Sequence, residues 1–320
     1  MSAIKIDPDV FKGLLDIHPN HLIIFLYTSI SVFIIALYKT PILRDRFLRY
    51  GVRNTPQKAP TTTNTTTPQP SLIIQLLDTL KAITVPHAWF THFYILATIT
   101  TTLTLHQSIT TGPLLPALNL PHHQLSLAPL GIFLLHVLRR LYESITLTRP
   151  STSRMWIGHY VMGLLHYTLA PIALIADPAP SADLLYILPF ALALLAFSIA
   201  QHKQHVYLAS LPRGPDYILP NGGAFSKALA PHYGCEVGIY VCLLGMRLSG
   251  GGWDWTVASM LGFVVINLGV SVRETRRVYR ERFGDVVEGK GLMWPCLEWG
   301  RMEWFVVFVG IGIAMGSFMS

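Results

Sequence analysis

Seven apolar stretches of nearly membrane-spanning length divide this chain, and they restrict it to very few folds. They lie at Leu22–Tyr38, Phe90–Leu105, Leu125–Leu138, Trp156–Ala176, Leu184–Ala200, Tyr233–Leu248 and Trp255–Val270. Each runs 14 to 21 residues. A helical span takes roughly 17 to 25, so several of these helices must extend into their polar flanks. Inside lipid only α-helices and closed barrels satisfy every backbone polar group, and the alternation of a barrel strand does not occur in these stretches. The expected fold class is therefore all-α: a polytopic membrane protein built as a seven-transmembrane-helix bundle with cytosolic loops. The charge content agrees, at 13% against about 25% in an ordinary soluble domain.

A net charge of +7 could suggest a nucleic-acid partner, but the placement of the cations argues otherwise. With the seven helices taken in alternation, one side of the membrane receives 21 of the 24 Lys and Arg residues and the other receives 3. By the positive-inside rule the rich side is cytosolic and the N-terminus lies across the membrane. The three cysteines, Cys235, Cys242 and Cys296, show no CxxC or paired spacing, so neither a disulfide framework nor a metal site is expected. No cleavable signal pattern precedes Leu22.

The chain divides into an N-terminus with the first helix and a basic juxtamembrane run (1–54), a low-complexity linker (55–71), a membrane domain (72–302) and an extra apolar tail (303–320). The linker APTTTNTTTPQPS contains a sequon at Asn64, and the charge count puts it in the cytosol, where no glycan is expected. Ser71–Thr84 has helical apolar periodicity, which suits a helix lying at the interface or packed beneath the bundle. The loops Asp177–Asp183 and Ser249–Asp254 read as short lumenal connections and no more.

The longest polar interval after the first third is Gln201–Gly238, with Lys203, His205, Arg213, Asp216 and Tyr217 before the turn-forming Pro220-Asn221-Gly222-Gly223. His232 and Glu236 follow four residues apart, on one face of any helix that begins there. An acid at a membrane-helix mouth is either a site residue or a helix cap. His136, Arg140 and Glu143 form a second stripe, spaced i, i+4, i+7; they either pair with one another or hold a phosphate or polar head group. VPHAWFTHFY at 85–94 brings His87, His92 and Tyr94 to the start of the second helix, as an aromatic belt or as reactive groups. Five arginines follow within ten residues in SVRETRRVYRERFGD, around Tyr279. They either anchor the cytosolic end or hold an anionic cofactor. Neither GxGxxG nor GxxxxGK[ST] is present, so a nucleotide would have to sit between helices.

These stretches, together with HVLRRLYES, HKQHVYLASL, YILPNGGAF, APHYGCEVGIY and RRVYRERF, resemble the steroid 5α-reductase family. Within it the chain looks most like the polyprenol (polyprenal) reductases. The match runs from about residue 85 to 285. The resemblance implies a multi-pass enzyme of the endoplasmic reticulum membrane with a lumenal N-terminus, an oxidoreductase acting on a CH–CH group and using NADPH. Its product would supply dolichol for protein N-glycosylation. The partners implied are a long-chain polyisoprenoid substrate and membrane lipid, with no nucleic acid and no metal.

On positions that match the family's cofactor contacts, the resemblance places Arg140, Gln201, His205, Tyr217, His232, Glu236 and Tyr279 around NADPH. His232 stands where steroid reductases have Asn. The family arginine falls at Pro212, so its neighbour Arg213 would take over. The Gln-Glu pair and partner Tyr that hold a steroid ketone are replaced by His92, Phe93 and Val137, which argues against a 3-oxosteroid. His92, Tyr94 and His136 remain as candidate catalytic proton donors.

Hydride attack on an isolated double bond has no electron sink, whereas conjugation to an aldehyde supplies one. The expected direct substrate is thus polyprenal. A very-long-chain trans-2-enoyl-CoA reductase and a non-catalytic lipid-binding scaffold are the alternatives.

Overall fold

The computed structural model describes residues 18–48, 71–118, 120, 127–149, 152–177, 183–212 and 217–294. Arg213, the sequon at Asn64, Cys296, the 303–320 tail and nearly all of the 55–71 linker lie outside the described residues. In chain order the elements are α1 (Pro19–Lys39), α2 (Pro41–Phe47), α3 (Leu72–Ala82), β1 (Thr84–Pro86), α4 (Phe90–Thr110) and α5 (Leu114–Ala117). They continue with α6 (Ala128–Thr146), β2 (Arg154–Trp156), α7 (Ile157–Ala176), α8 (Leu184–Ser210), α9 (Pro231–Leu248) and α10 (Trp255–Phe283).

Each of the seven expected helices is present, and most run past the apolar stretch that announced them. α8 continues ten residues beyond Ala200 and α10 thirteen beyond Val270. Among the described residues four helices, α1, α7, α8 and α10, are long and apolar enough to cross a membrane. Polar residues dilute the other three: threonines in α4, Arg139, Arg140 and Glu143 in α6, Glu236 and Arg247 in α9. The protein is an all-α polytopic membrane protein. Its one described sheet is the antiparallel pair β1–β2, with Val85 opposite Met155. This pair ties the chain entering α4 to the chain entering α7.

Packing follows from small residues and a few polar ties. α9 lies along α8, and a Cβ on Gly238 would stand 2.8 Å from the Phe197 ring. A side chain there would force the helices apart; close approach through glycine is the usual device between membrane helices. α1 packs along α10, with Tyr27 against Phe263 at a ring separation of 5.5 Å. The Tyr27 hydroxyl lies 3.3 Å from His166 Nδ1, and His166 Nε2 lies 2.9 Å from the Tyr240 hydroxyl. One buried histidine thereby joins α1, α7 and α9, in bonds worth roughly 0.6 to 2 kcal/mol each within a bilayer.

Helix starts and ends alternate between two ends of the bundle. One end holds the starts of α4, α7 and α9 and the ends of α6, α8 and α10. At the other, the two short connections do more than connect, which corrects the sequence reading. Asp177 accepts from Asn20 Nδ2 at 2.8 Å and from Thr256 Oγ1 at 2.7 Å. Asp254 caps α10 through Val257 N at 2.9 Å and accepts from Arg247 Nε at 2.6 Å, and Arg247 Nη2 donates to Asp177 O at 2.5 Å. Four helix ends are clamped together there. Burial opposes the charge on Asp177, but the bonds from Asn20 and Thr256 outweigh it and hold its carboxyl below the usual range.

α3 is different in kind. Ser71 Oγ caps it by accepting from Ile74 N at 3.4 Å, and none of its residues is buried. Leu72, Ile73, Leu76 and Leu80 form an exposed apolar stripe on one face. Asp78 pairs with Arg46 Nε at 2.7 Å, and Trp156 Nε1 donates to Leu80 O at 3.0 Å.

Candidate active site

A buried polar cluster fills the end of the bundle where α6 and α8 finish and α4 and α9 begin. Its centre is Glu143, which is 3% exposed. Its Oε1 accepts from Arg139 Nη1 at 2.5 Å and lies 2.8 Å from His202 Nδ1. Its Oε2 accepts from Arg140 Nη1 at 2.5 Å and lies 2.8 Å from His205 Nδ1. Two adjacent arginines on α6 and two histidines three apart on α8 reach one carboxylate because the last turns of these helices face each other. A carboxylate this buried is tolerable only with such compensation.

Two arms leave the centre. Arg140 donates to the Tyr94 hydroxyl through Nε at 3.1 Å and Nη2 at 2.5 Å. On the other side Arg139 donates to Gln201 Oε1. Gln201 Nε2 then donates to Glu236 Oε2 at 2.6 Å and to the His232 carbonyl at 3.2 Å. His136 closes that arm, with Nε2 3.5 Å from Glu236 Oε1 and Nδ1 3.2 Å from Arg139 Nη2. Because α9 begins at Pro231, Glu236 lies inside the helix and faces the cluster; it is not a cap. Of the alternatives left by the stripe, Arg140 and Glu143 do pair.

The loop after α8 borders this cluster. The Tyr207 hydroxyl accepts from Asn221 N at 3.1 Å and Gly222 N at 2.8 Å. Gly223 adopts φ +56°, a left-handed conformation that a side chain would strain. Lys290 Nζ clamps the turn by donating to Pro220 O at 2.9 Å, Asn221 Oδ1 at 2.9 Å and Phe225 O at 2.6 Å. Phe225 in turn lies against the His232 ring at 5.8 Å, and His232 lies 5.5 Å from the His205 ring.

The structure brings Tyr94, His136, Arg140, Gln201, His205, His232 and Glu236 together. Tyr217 and Tyr279 form a separate pair, hydroxyl to hydroxyl, with the Arg282 guanidinium 5.3 Å above the Tyr217 ring. Burial pushes the Tyr217 phenol up, so it remains protonated near neutrality. His92 is on the exposed side of α4, two residues from Tyr94; its Nδ1 lies 3.0 Å from the Tyr160 hydroxyl. The arginines of α10 are engaged within the protein: Arg277 with Asp45 at 2.5 Å, Arg280 with Glu288 at 3.1 Å, Arg273 over the Tyr38 ring at 5.8 Å.

Sequence reasoning missed Arg139, His202, Tyr160 and Lys290. Arg139 was legible as half of an Arg-Arg pair, and His202 as the residue beside Gln201. Nothing local marks Lys290, whose acceptors lie 65 to 70 residues away.

No family model matches the chain. Among curated proteins it is 31% identical over 265 residues to the polyprenal reductase of Saccharomyces cerevisiae, covering 80% of this chain and 88% of that protein. It is 30% identical over 264 residues to polyprenal reductase 1 of Arabidopsis thaliana, covering 66% of this chain and 81% of the relative. The polyprenal reductase of Caenorhabditis elegans is 31% identical over 201 residues, 51% of this chain and 65% of that one. On similarity that spans most of the chain, it belongs to the polyprenal reductases, a branch of the steroid 5α-reductase family.

Proposed function

We propose that this protein reduces the double bond conjugated to the aldehyde of a polyprenal, giving the dolichal, with NADPH as hydride donor. The observation that carries the reading is the buried cluster in which Arg140 presents the Tyr94 hydroxyl, in a chain whose relatives are named for polyprenal. The donor set suits a phosphorylated dinucleotide. Guanidinium groups, imidazoles and an amide gather at helix ends, and Arg140, Gln201, His205, His232 and Glu236 would hold the cofactor, with Tyr217 and Tyr279 nearer its outer part.

NADPH, when bound, supplies the hydride that reaches the β carbon. The protein's part is to stabilise the charge that moves onto the aldehyde oxygen and to bring a proton to the substrate. Tyr94 accepts two N–H groups from Arg140, so its own proton points elsewhere and can be donated to that oxygen. As a solvent-derived proton reaches the α carbon the carbonyl re-forms and its oxygen returns the proton to Tyr94, so the net addition is one hydride and one proton. His136 is further along the cofactor arm, and His92 is exposed, which makes Tyr94 the favoured donor of the three.

Seven spans, an N-terminus in the lumen of the endoplasmic reticulum and a cluster facing the cytosol fit this role, with the product feeding the lipid carrier of N-glycosylation. The test is NADPH oxidation by purified protein offered polyprenal, polyprenol and a trans-2-enoyl-CoA in parallel. Turnover of polyprenal alone is expected. Dolichol formed from polyprenol without an aldehyde would overturn the electron-sink argument. Turnover of the CoA ester alone would reassign the substrate.

A further inference from the structure

We propose that Glu143 is a positioning residue for the reaction, setting both Tyr94 and the Gln201–Glu236 pair from one carboxylate. The inference rests on the reductase reading above. Each oxygen of Glu143 serves one arm: Oε2 fixes Arg140, which holds Tyr94, and Oε1 fixes Arg139, which holds Gln201 and through it Glu236. His202 and His205 occupy the remaining positions on the two oxygens at 2.8 Å each. Neither arginine has another carboxylate within hydrogen-bond distance among the described residues, so both make their direct ion pairs with this one.

An amide in that place has the same shape and the wrong hydrogen bonding. Its NH2 faces a guanidinium, donor against donor, and the Arg-Arg pair loses the carboxylate it is directly bonded to. One or both arginines must turn away. Arg140 then releases Tyr94 from the orientation in which its proton faces the substrate. An aspartate keeps the charge but is one methylene short, so it reaches the arginines less well and restores part of the geometry.

The test is a double-mutant cycle in detergent-purified full-length protein, with NADPH and polyprenal. Glu143→Gln is expected to lower kcat by about 100-fold, the scale of losing one transition-state donor. KM for polyprenal should stay within about threefold, because the residue touches the machinery and not the lipid chain. Glu143→Asp should recover about tenfold of that loss. In a Tyr94→Phe background Glu143→Gln should cost kcat at most about fivefold more, because the Tyr94 arm is already lost, while KM for NADPH should still rise as the Gln201–Glu236 arm loosens.

Losses that multiply fully, or a Glu143→Gln enzyme within about threefold of wild type, would overturn the proposal. If Glu143→Gln does not purify as a folded protein, Glu143→Asp with Tyr94→Phe runs the same cycle, judged the same way. Wild-type protein inert toward polyprenal would refute the reductase reading itself, and this inference with it. An active wild type with multiplicative losses would refute the role of Glu143 alone.

Discussion

Replacing Lys290 with methionine tests whether the loop beside the cluster is held from a distance. The ammonium, 7% exposed, donates to three oxygens of the 220–225 turn. Methionine keeps the length of the chain and removes every donor. Asn221 is exposed, so its side-chain oxygen can return to water at little cost. Pro220 and Phe225 are buried, so their carbonyls are left without a partner. Two buried acceptors at about 1 to 3 kcal/mol each, reduced by partial relaxation, give about 2 to 4 kcal/mol off the local opening free energy. That corresponds to amide exchange roughly 30 to 700 times faster across the turn. Hydrogen exchange with mass spectrometry, on peptides covering 217–230, would read it directly. The amides of Phe225 and Ala228, bonded to Gly222 O and Ala224 O, are the reporters. Peptides over the Asp254–Val257 cap at the far end should not change. A folded Lys290→Met protein whose turn exchanges within about threefold of wild type would refute the clamp, because no route then remains for the lost donors to matter.

Three further outcomes follow from the geometry. Tyr94→Phe should lower kcat for polyprenal by about 10²- to 10³-fold, and His92→Gln, on the exposed face, should lose far less; equal losses in steady-state assays would contradict the assignment of the donor. Asp177 has a depressed folded-state pKa, so its contribution is complete above the unfolded value of about 3.9 and fades as pH falls through the folded one. Thr256→Val should therefore lower the thermal midpoint at pH 7 and make it less sensitive to acidification below about pH 4; an unchanged slope in a scan of midpoint against pH would count against the clamp. A tryptophan at Leu76, on the exposed stripe of α3, should be quenched by shallowly brominated lipid in vesicles and protected from aqueous iodide, and the reverse pattern would place α3 in solvent.

The helices were legible because apolarity over 14 residues or more has few other meanings in a chain this poor in charge. Their polar ends were not, since the apolar stretch stops before the helix does. α8 runs on to Ser210 through Gln201, His202 and His205, and those turns carry the site. The stripe His136, Arg140, Glu143 was readable as helical spacing, but the spacing could not say whether Arg140 pairs within the stripe or reaches out of it. It does both, to Glu143 and to Tyr94. Arg139 lies three residues after His136 and four before Glu143, so it falls on the same face, and the i, i+4, i+7 spacing simply passed over it. The Lys290 clamp and the Asn20–Asp177–Thr256 clamp join residues far apart in the chain, and local pattern carries no trace of such pairings. The arginine run in the last turns of α10 had two readings, and the partners Asp45, Glu288 and Tyr38 show its cations engaged within the fold.

The pairing of α1 with α10 has a consequence for how the protein is made. The first of the helices described finds its main partner in the last, and the ring of Tyr27 waits for Phe263. By the time Glu236 is synthesised, nearly every member of the polar cluster already exists in the nascent chain, yet α1 still has an uncovered flank. A chain interrupted between Leu248 and Trp255 would hold the whole reactive cluster on a bundle open along one side. The site is therefore complete in the chain before the bundle that encloses it is closed.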